Sequence, residues 1–165
     1  MQTEKTEIVA TEATEVSKEE LDKLLRYHVY GSMAVGLIPI PVADFAGLTA
    51  IQLNLLRTLA KKYNVPFFKD TVKNILSSLV GGALPTLASV PLAVSLTKFV
   101  PAVGTVVGIV TMPIVAGATT YAIGRVFIQH FASGGTFLNF DPEEVKAFYA
   151  EMFSEGKKVA ADMGK

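Results

Sequence analysis

From Asn74 to Gly124 the chain runs for 51 residues with a single charged side chain, Lys98. So long an uncharged run has to be hidden from water, which decides the architectures open to the chain. Read as two helices, Asn74–Thr97 and Phe99–Gly124, it measures 24 and 26 residues, or roughly 36 and 39 Å at the helical rise. Either length crosses a hydrocarbon core of about 30 Å. The expectation is an all-α fold whose Gly/Pro-rich apolar hairpin, residues 74–124, inserts in a membrane with Lys98 at its tip. The flanks follow the positive-inside tendency, with Arg57, Lys61, Lys62, Lys69 and Lys73 ahead of the first segment and Arg125 after the second. Both termini then face the cytoplasm.

The tract is also rich in residues that disturb a helix in water: Pro85, Pro91, Pro101 and Pro113, with Gly81, Gly82, Gly104, Gly108, Gly117 and Gly124. Membrane spans accommodate proline because neighbouring helices satisfy the freed backbone groups. Gly104 and Gly108 form a GxxxG pair, and Ala118/Ala122 and Thr120/Gly124 repeat the small-residue spacing. Small residues let two helix backbones approach closely, so Gly104, Gly108, Gly117 and Gly124 are the helix-packing candidates. A competing reading starts from the amphipathic piece Thr71–Val80. If Gly81-Gly82 breaks that helix, the first apolar segment shrinks to the 15 residues Ala83–Thr97, short of the ~20 a span needs. The tract is then a re-entrant element, or the core of a soluble cytoplasmic oligomer binding an apolar ligand between its helices. A small channel is a third reading, but no ring of pore charges supports it.

The remainder frames this tract. The 15 basic and 15 acidic side chains cancel, which argues against wrapping nucleic acid. With no cysteine, thiolate metal sites and thiol chemistry are excluded. Residues 1–16, rich in Thr and Glu, read as a disordered acidic tail without the basic start and apolar run of a signal peptide. One helical domain is expected over 17–158, and 159–165 as a second tail. Ser17 and Glu20 have capping-box spacing ahead of Leu21. That helix breaks at Pro39-Ile40-Pro41. The next begins near Pro41, carries Phe45, Leu48, Ile51, Leu55 and Leu59 at helical steps, and ends at Asn64-Val65-Pro66. After Gly134-Gly135, Asp141-Pro142-Glu143-Glu144 reads as a helix start. Val145, Phe148, Tyr149, Met152 and Phe153 make an amphipathic face over about 141–155, closed by Gly156. This helix and Asp44–Tyr63 are expected to pack together and offer a surface for self-association or a partner.

No catalytic or cofactor motif emerges. There is no GxxxxGK[ST], no GxSxG, and the DxxG of Asp44–Gly47 stands without a P-loop. His28 and His130 lie about a hundred residues apart with no carboxylate cluster beside either, too few ligands for a metal. The expectation is a non-enzymatic protein without cofactor or metal. Asp44 is the single residue to watch, being the only acid between Asp22 and Asp70. Its simple role is an acid in a helix's first turn; its functional one is an ionisable group at membrane depth.

Three stretches together carry a resemblance: GLIPIPVADFAGLTAIQLNLLRTLAKKYNVPF, SLVGGALP and VFIQHFASGGTFLNFDPEEVKAFY. They resemble an uncharacterised bacterial domain family found alone or fused behind Era-like GTPase domains, with YcjF-like membrane proteins as relatives. The matching positions are Pro39, Pro41, Asp44, Gln52, Tyr63, Gly81, Gly82, Gly134 and Gly135. The resemblance implies an all-helical module of the bacterial inner membrane, without known catalysis or an established site. The partners it implies are lipids and a separate GTPase, since this chain carries no GTPase domain of its own.

Overall fold

The apolar positions that recur at three- and four-residue steps become the buried faces of helices. In the computed structural model residues 16–38, 41–87 and 103–165 are described, with the side chains of 41–44, 83–87 and 103–111 outside the description. These residues form α1 (Lys18–Val35), α2 (Pro41–Lys62), α3 (Lys69–Leu87), α4 (Val103–Ala132) and α5 (Lys146–Met163), with a short 3-10 turn at Phe137–Asn139. No strand occurs among the described residues. The expected tail 1–16 lies outside them but for Val16, as do Pro39-Ile40 and residues 88–102 with Lys98.

Helix α4 is the axis. Its 30 residues make it about 45 Å long. α1 lies antiparallel on it, as the pairs Arg125–Asp22, Gly124–Leu25, Thr120–Ser32 and Pro113–Gly36 show. α2 runs back beside α1, matching Asn54 to His28 and Gly47 to Val35. α5 packs on another side of α4, with Gly156 on Ala118 and Tyr121 bonded to Glu155. α3 leans across, from its approach at Phe67 against Phe137 to Gly82 beside Glu143. One core runs through all five, from Leu25 and Val29 through Leu55, Leu59, Leu79 and Ile123 to Phe127, Tyr149 and Phe153. At one end it closes on aromatic rings, where Phe127 stacks on Phe140 at 4.5 Å and meets Phe131 and Phe137 at 5.5 Å.

Several sequence expectations are corrected here. Among the described residues no helix is long and apolar enough to cross a membrane. The second expected span does not stop at Gly124, because α4 continues to Ala132. Ala116, Ala118, Thr119, Thr120, Tyr121, Ala122 and Ile123 are buried against α1, α2 and α5, so protein rather than lipid hides this half of the tract. Gly81-Gly82 does not break α3, which runs on to Leu87. Asp141 does not start α5: its carboxylate accepts the Glu143 N–H at 2.9 Å in a turn, and the helix begins at Lys146. Gly156 is an interior, buried position of α5 rather than its end, and the boundary at 158 falls inside that helix. α2 and α5 do not make the expected pair, since α5 packs chiefly on α4 and α2 on α1. Ser17 occupies the N-cap of α1 without a side-chain cap bond.

The two loop readings follow the chain more closely. Asn64 takes φ 54 as α2 ends, and Val65 N–H closes on Ala60 O at 2.8 Å. Gly134 takes φ +89, the left-handed conformation that stops α4.

Candidate functional site

The seams of the bundle are built from small residues. A Cβ added at Gly117 would meet Met33 Cγ at 2.8 Å and Ala160 Cβ at 3.1 Å. At Gly156 it would meet Ala118 Cα and O and Tyr121 Cβ, all at 3.0 Å. At Gly124 it would strike the Leu25 side chain at 2.3 Å, and at Gly36 the Pro113 backbone at 2.9 Å. Gly117 and Gly124 therefore sit where α4 is approached by α1 and α5. Gly104 and Gly108 fall in the part of α4 whose surroundings lie outside the described residues, and so does the side chain of Asp44, in the first turn of α2.

A polar layer crosses this apolar interior. Ser32 and Thr120 share a hydroxyl hydrogen bond of 2.7 Å, and the Gln52 amide donates to the same Thr120 oxygen at 3.4 Å. All three are buried. His28 Nδ1–H donates to Leu24 O at 2.8 Å, leaving Nε2 to accept from the Asn54 amide at 3.1 Å. Both ring nitrogens are thus engaged, and the ring ties α1 to α2. His130 donates from Nε2 to Thr136 O at 2.8 Å across the Gly134-Gly135 turn. The ring lies so close over Gly135 that a Cβ there would overlap it. Among the described residues no cluster of three or more His, Cys, Asp or Glu is placed to hold a metal.

Three phenols are perturbed, Tyr63 being raised by burial alone. Burial pushes Tyr121 up to about 12, helped by its 2.5 Å hydrogen bond to Glu155 and opposed by Arg125. Burial also raises Tyr149, whose hydroxyl makes no hydrogen bond of acceptable geometry although the Thr119 hydroxyl lies beside it.

The exposed surface is polarised. α1 ends, and α2 and the packed part of α4 begin, at one pole, which joins Gly36 to Pro113. Leu37 and Phe45 are 60% and 74% exposed there, with Ile38 and Val115 also open to solvent. From Tyr27 to Val35 on α1 and from Phe45 to Leu56 on α2 there is no charged side chain. Exposed Tyr27 and Tyr30 stand further along α1 from this pole. A cleft of about 620 Å³ at the pole brings Leu37, Pro113 and Ile114 together with Met163 at the end of α5. The opposite, distal end carries the ion pairs Lys62–Glu20 and Arg125–Asp22. Phe68 and Leu138 are exposed on elements at that end. Lone exposed apolar residues are ordinary, whereas a contiguous uncharged patch marks an interaction surface.

These features place the chain among all-helical modules with an apolar pole. Residues 2–158 match a family described as a domain of unknown function (DUF697), and the chain belongs to that family. A relative in Magnetospirillum gryphiswaldense, named magnetosome membrane protein 22, is 38% identical over 140 residues, covering 85% of this chain and 72% of the relative. No solved structure matches the chain.

Sequence reasoning named Gly117 and Gly124 but missed Gly156, whose place near the apparent end of a helix suggested a stop. The polar layer was also missed. Its partners are separated by 26, 68 and 88 residues, and no local pattern announces such pairs.

Proposed function

We propose that this protein is a non-enzymatic, membrane-associated helical module that sits on the inner membrane through its apolar pole. The observation that carries the reading is the concentration of exposed Leu37, Ile38, Phe45 and Val115 at one pole. It is at this pole that α4 extends ten residues beyond Pro113 toward the apolar tract. Tyr27 and Tyr30 flank the pole where interfacial aromatics belong. The relative's name, a magnetosome membrane protein, supports the same reading. In this view the packed half of α4 stays within the bundle, and the pole meets lipid.

The distal end, facing away from the bilayer, offers Phe68 and Leu138 to a protein partner or a second copy. A GTPase is our candidate partner, on the resemblance set out above. Co-purification from bacterial membranes tests that assignment, and recovery of the chain without any GTPase removes it.

Flotation tests the membrane reading. The full-length chain should rise with phosphatidylcholine vesicles and resist carbonate extraction from cell membranes. The triple variant Leu37→Ser/Ile38→Ser/Phe45→Ser should float markedly less while keeping its helical circular dichroism. Wild-type protein that stays with the soluble fraction, or is freed by carbonate without detergent, overturns the reading in favour of a soluble helical oligomer.

A further inference from the structure

Three cavities follow α1 and α2 from the distal end to the pole, and each shares wall residues with the next. The first, about 410 Å³, is lined by Arg57, Phe67 and Lys69 with Ala50 and Asn54. Ala50 and Asn54 also line the second, about 750 Å³, where Arg26, Tyr27 and Tyr30 join them. Tyr30, Ala34 and Met163 in turn belong to the cleft beside Leu37. Along this seam the surface changes in a fixed order. Exposed Arg26, Arg57 and Lys69 stand at the distal side. Exposed Tyr27 and Tyr30 come next, and Ala34, Ala50, Leu37 and Ile38 follow toward the pole. From Tyr27 to Leu56 the sole Asp, Glu, Lys or Arg is Asp44. No acidic side chain lines the first two cavities. The acids at the start of α1 are engaged elsewhere, in Glu19–Lys23, Glu20–Lys62 and Asp22–Arg125. Among the described residues Arg26, Arg57 and Lys69 have no carboxylate within ion-pair distance.

We propose that the α1–α2 face is the surface that lies in the bilayer, one leaflet deep, with Arg26, Arg57 and Lys69 binding anionic headgroups. Apolar residues, then tyrosines, then cations reproduce the order of hydrocarbon, interface and phosphate. From Phe45 to Arg57 is twelve residues, about 18 Å of helix, against a leaflet's hydrocarbon depth of about 15 Å. The helices therefore enter inclined. The charges of α5 give the tilt its direction. α5 packs on another side of α4, and with the residues after it brings exposed Lys158, Asp162 and Lys165 toward the same pole. An end-on approach would press those charges into hydrocarbon, whereas leading with α1 and α2 leaves them in water. The proposal rests on the membrane reading above and adds to it the face, the tilt and the lipid charge.

The test is flotation of the full-length chain on vesicles of phosphatidylcholine, with and without phosphatidylglycerol as about a third of the lipid. Three cations at an anionic surface should raise the affinity at least about tenfold. Arg26→Gln/Arg57→Gln/Lys69→Gln removes only exposed charge; it should lose that gain while still floating on phosphatidylcholine and keeping its helical circular dichroism. The chain has no cysteine, so Ala50→Cys and Lys158→Cys can each carry a single environment-sensitive dye. On vesicles the emission at position 50 should shift to the blue and that at position 158 should not. Equal affinity of wild-type protein for the two vesicles, or an undiminished gain in the triple variant, overturns the proposal. So does a blue shift at position 158 equal to that at position 50, which would mean an end-on approach. These outcomes leave the membrane reading standing, since that reading fails separately, by absence of flotation on pure phosphatidylcholine.

Discussion

Replacing Gly156 by alanine isolates the contribution of backbone contact between α4 and α5. In an open helix the change stabilises by about 0.8–1 kcal/mol, because glycine has the greater conformational freedom to lose. Here the new Cβ would lie 3.0 Å from three atoms, two of them the Cα and O of Ala118. A backbone cannot rotate aside as a side-chain tip can, so the helices must separate by several tenths of an ångström. Overpacking of this kind costs about 1–3 kcal/mol, which leaves a net loss of roughly 0–2 kcal/mol after the propensity gain. Gly81→Ala is the matched control, since nothing lies within 4 Å of its added Cβ and it should give the propensity gain alone. Urea unfolding followed by circular dichroism reads both. Gly156→Ala should unfold at lower urea than Gly81→Ala by about 0.5–1.5 M, taking a slope near 2 kcal/mol/M. If the two variants are stabilised equally, the close approach at Ala118 is not a constraint and the account of the α4–α5 seam is wrong.

Two further outcomes follow from the phenols. Tyr149→Phe removes a buried hydroxyl that has no hydrogen bond of acceptable geometry, so stability should hold or rise by about 1 kcal/mol. A loss of more than that in thermal melts would show the hydroxyl bonded, to Thr119 first of all. Alkali should destabilise the fold. Tyrosine in the unfolded chain ionises near 10, whereas Tyr121 resists to about 12 and Tyr149 is raised as well. The unfolded state therefore releases these protons first, and the melting temperature should fall as pH rises past about 10. In native protein the tyrosinate absorbance at high pH should lag for these residues, and simultaneous titration of all tyrosines would contradict their burial.

The helices were largely legible because their apolar positions obey a local period. Leu21, Leu25 and Val29 predict α1, and Phe45 through Leu59 predict α2 with its stop at Asn64. The described parts of the apolar tract were legible as helix but ambiguous as to what hides them, since lipid and protein both select uncharged side chains. The clue lay in the kind of residue. Between Ala116 and Gly124 the chain offers mostly Ala, Gly and Thr, sizes that suit a close neighbouring backbone. The bulkier run toward Val103 lacks that economy. Asp141-Pro142 misled because the same residues that start helices also close turns, and Asp141 does the latter. Gln52, one of the family-like positions, could be named from the sequence but not understood, because its partner Thr120 lies 68 residues away. The cations were visible as a basic stretch, yet only the fold brings Arg57 and Lys69 to the same cavity.

The direction in which each helix runs has a practical consequence. α1 enters at the distal end beside Lys62, and α5 finishes at the pole, where Gly164 lies against Met33 and Lys165 borders the same cleft as Leu37. The two ends of the bundle are thus unequal places to attach anything. A fluorescent protein or affinity tag joined after Lys165 would be wedged beside Leu37 and Pro113, whereas one joined ahead of α1 would hang clear of that surface. Localisation seen with only a carboxy-terminal fusion would report on the wedge as much as on the protein, so paired fusions at the two ends are the cleaner instrument.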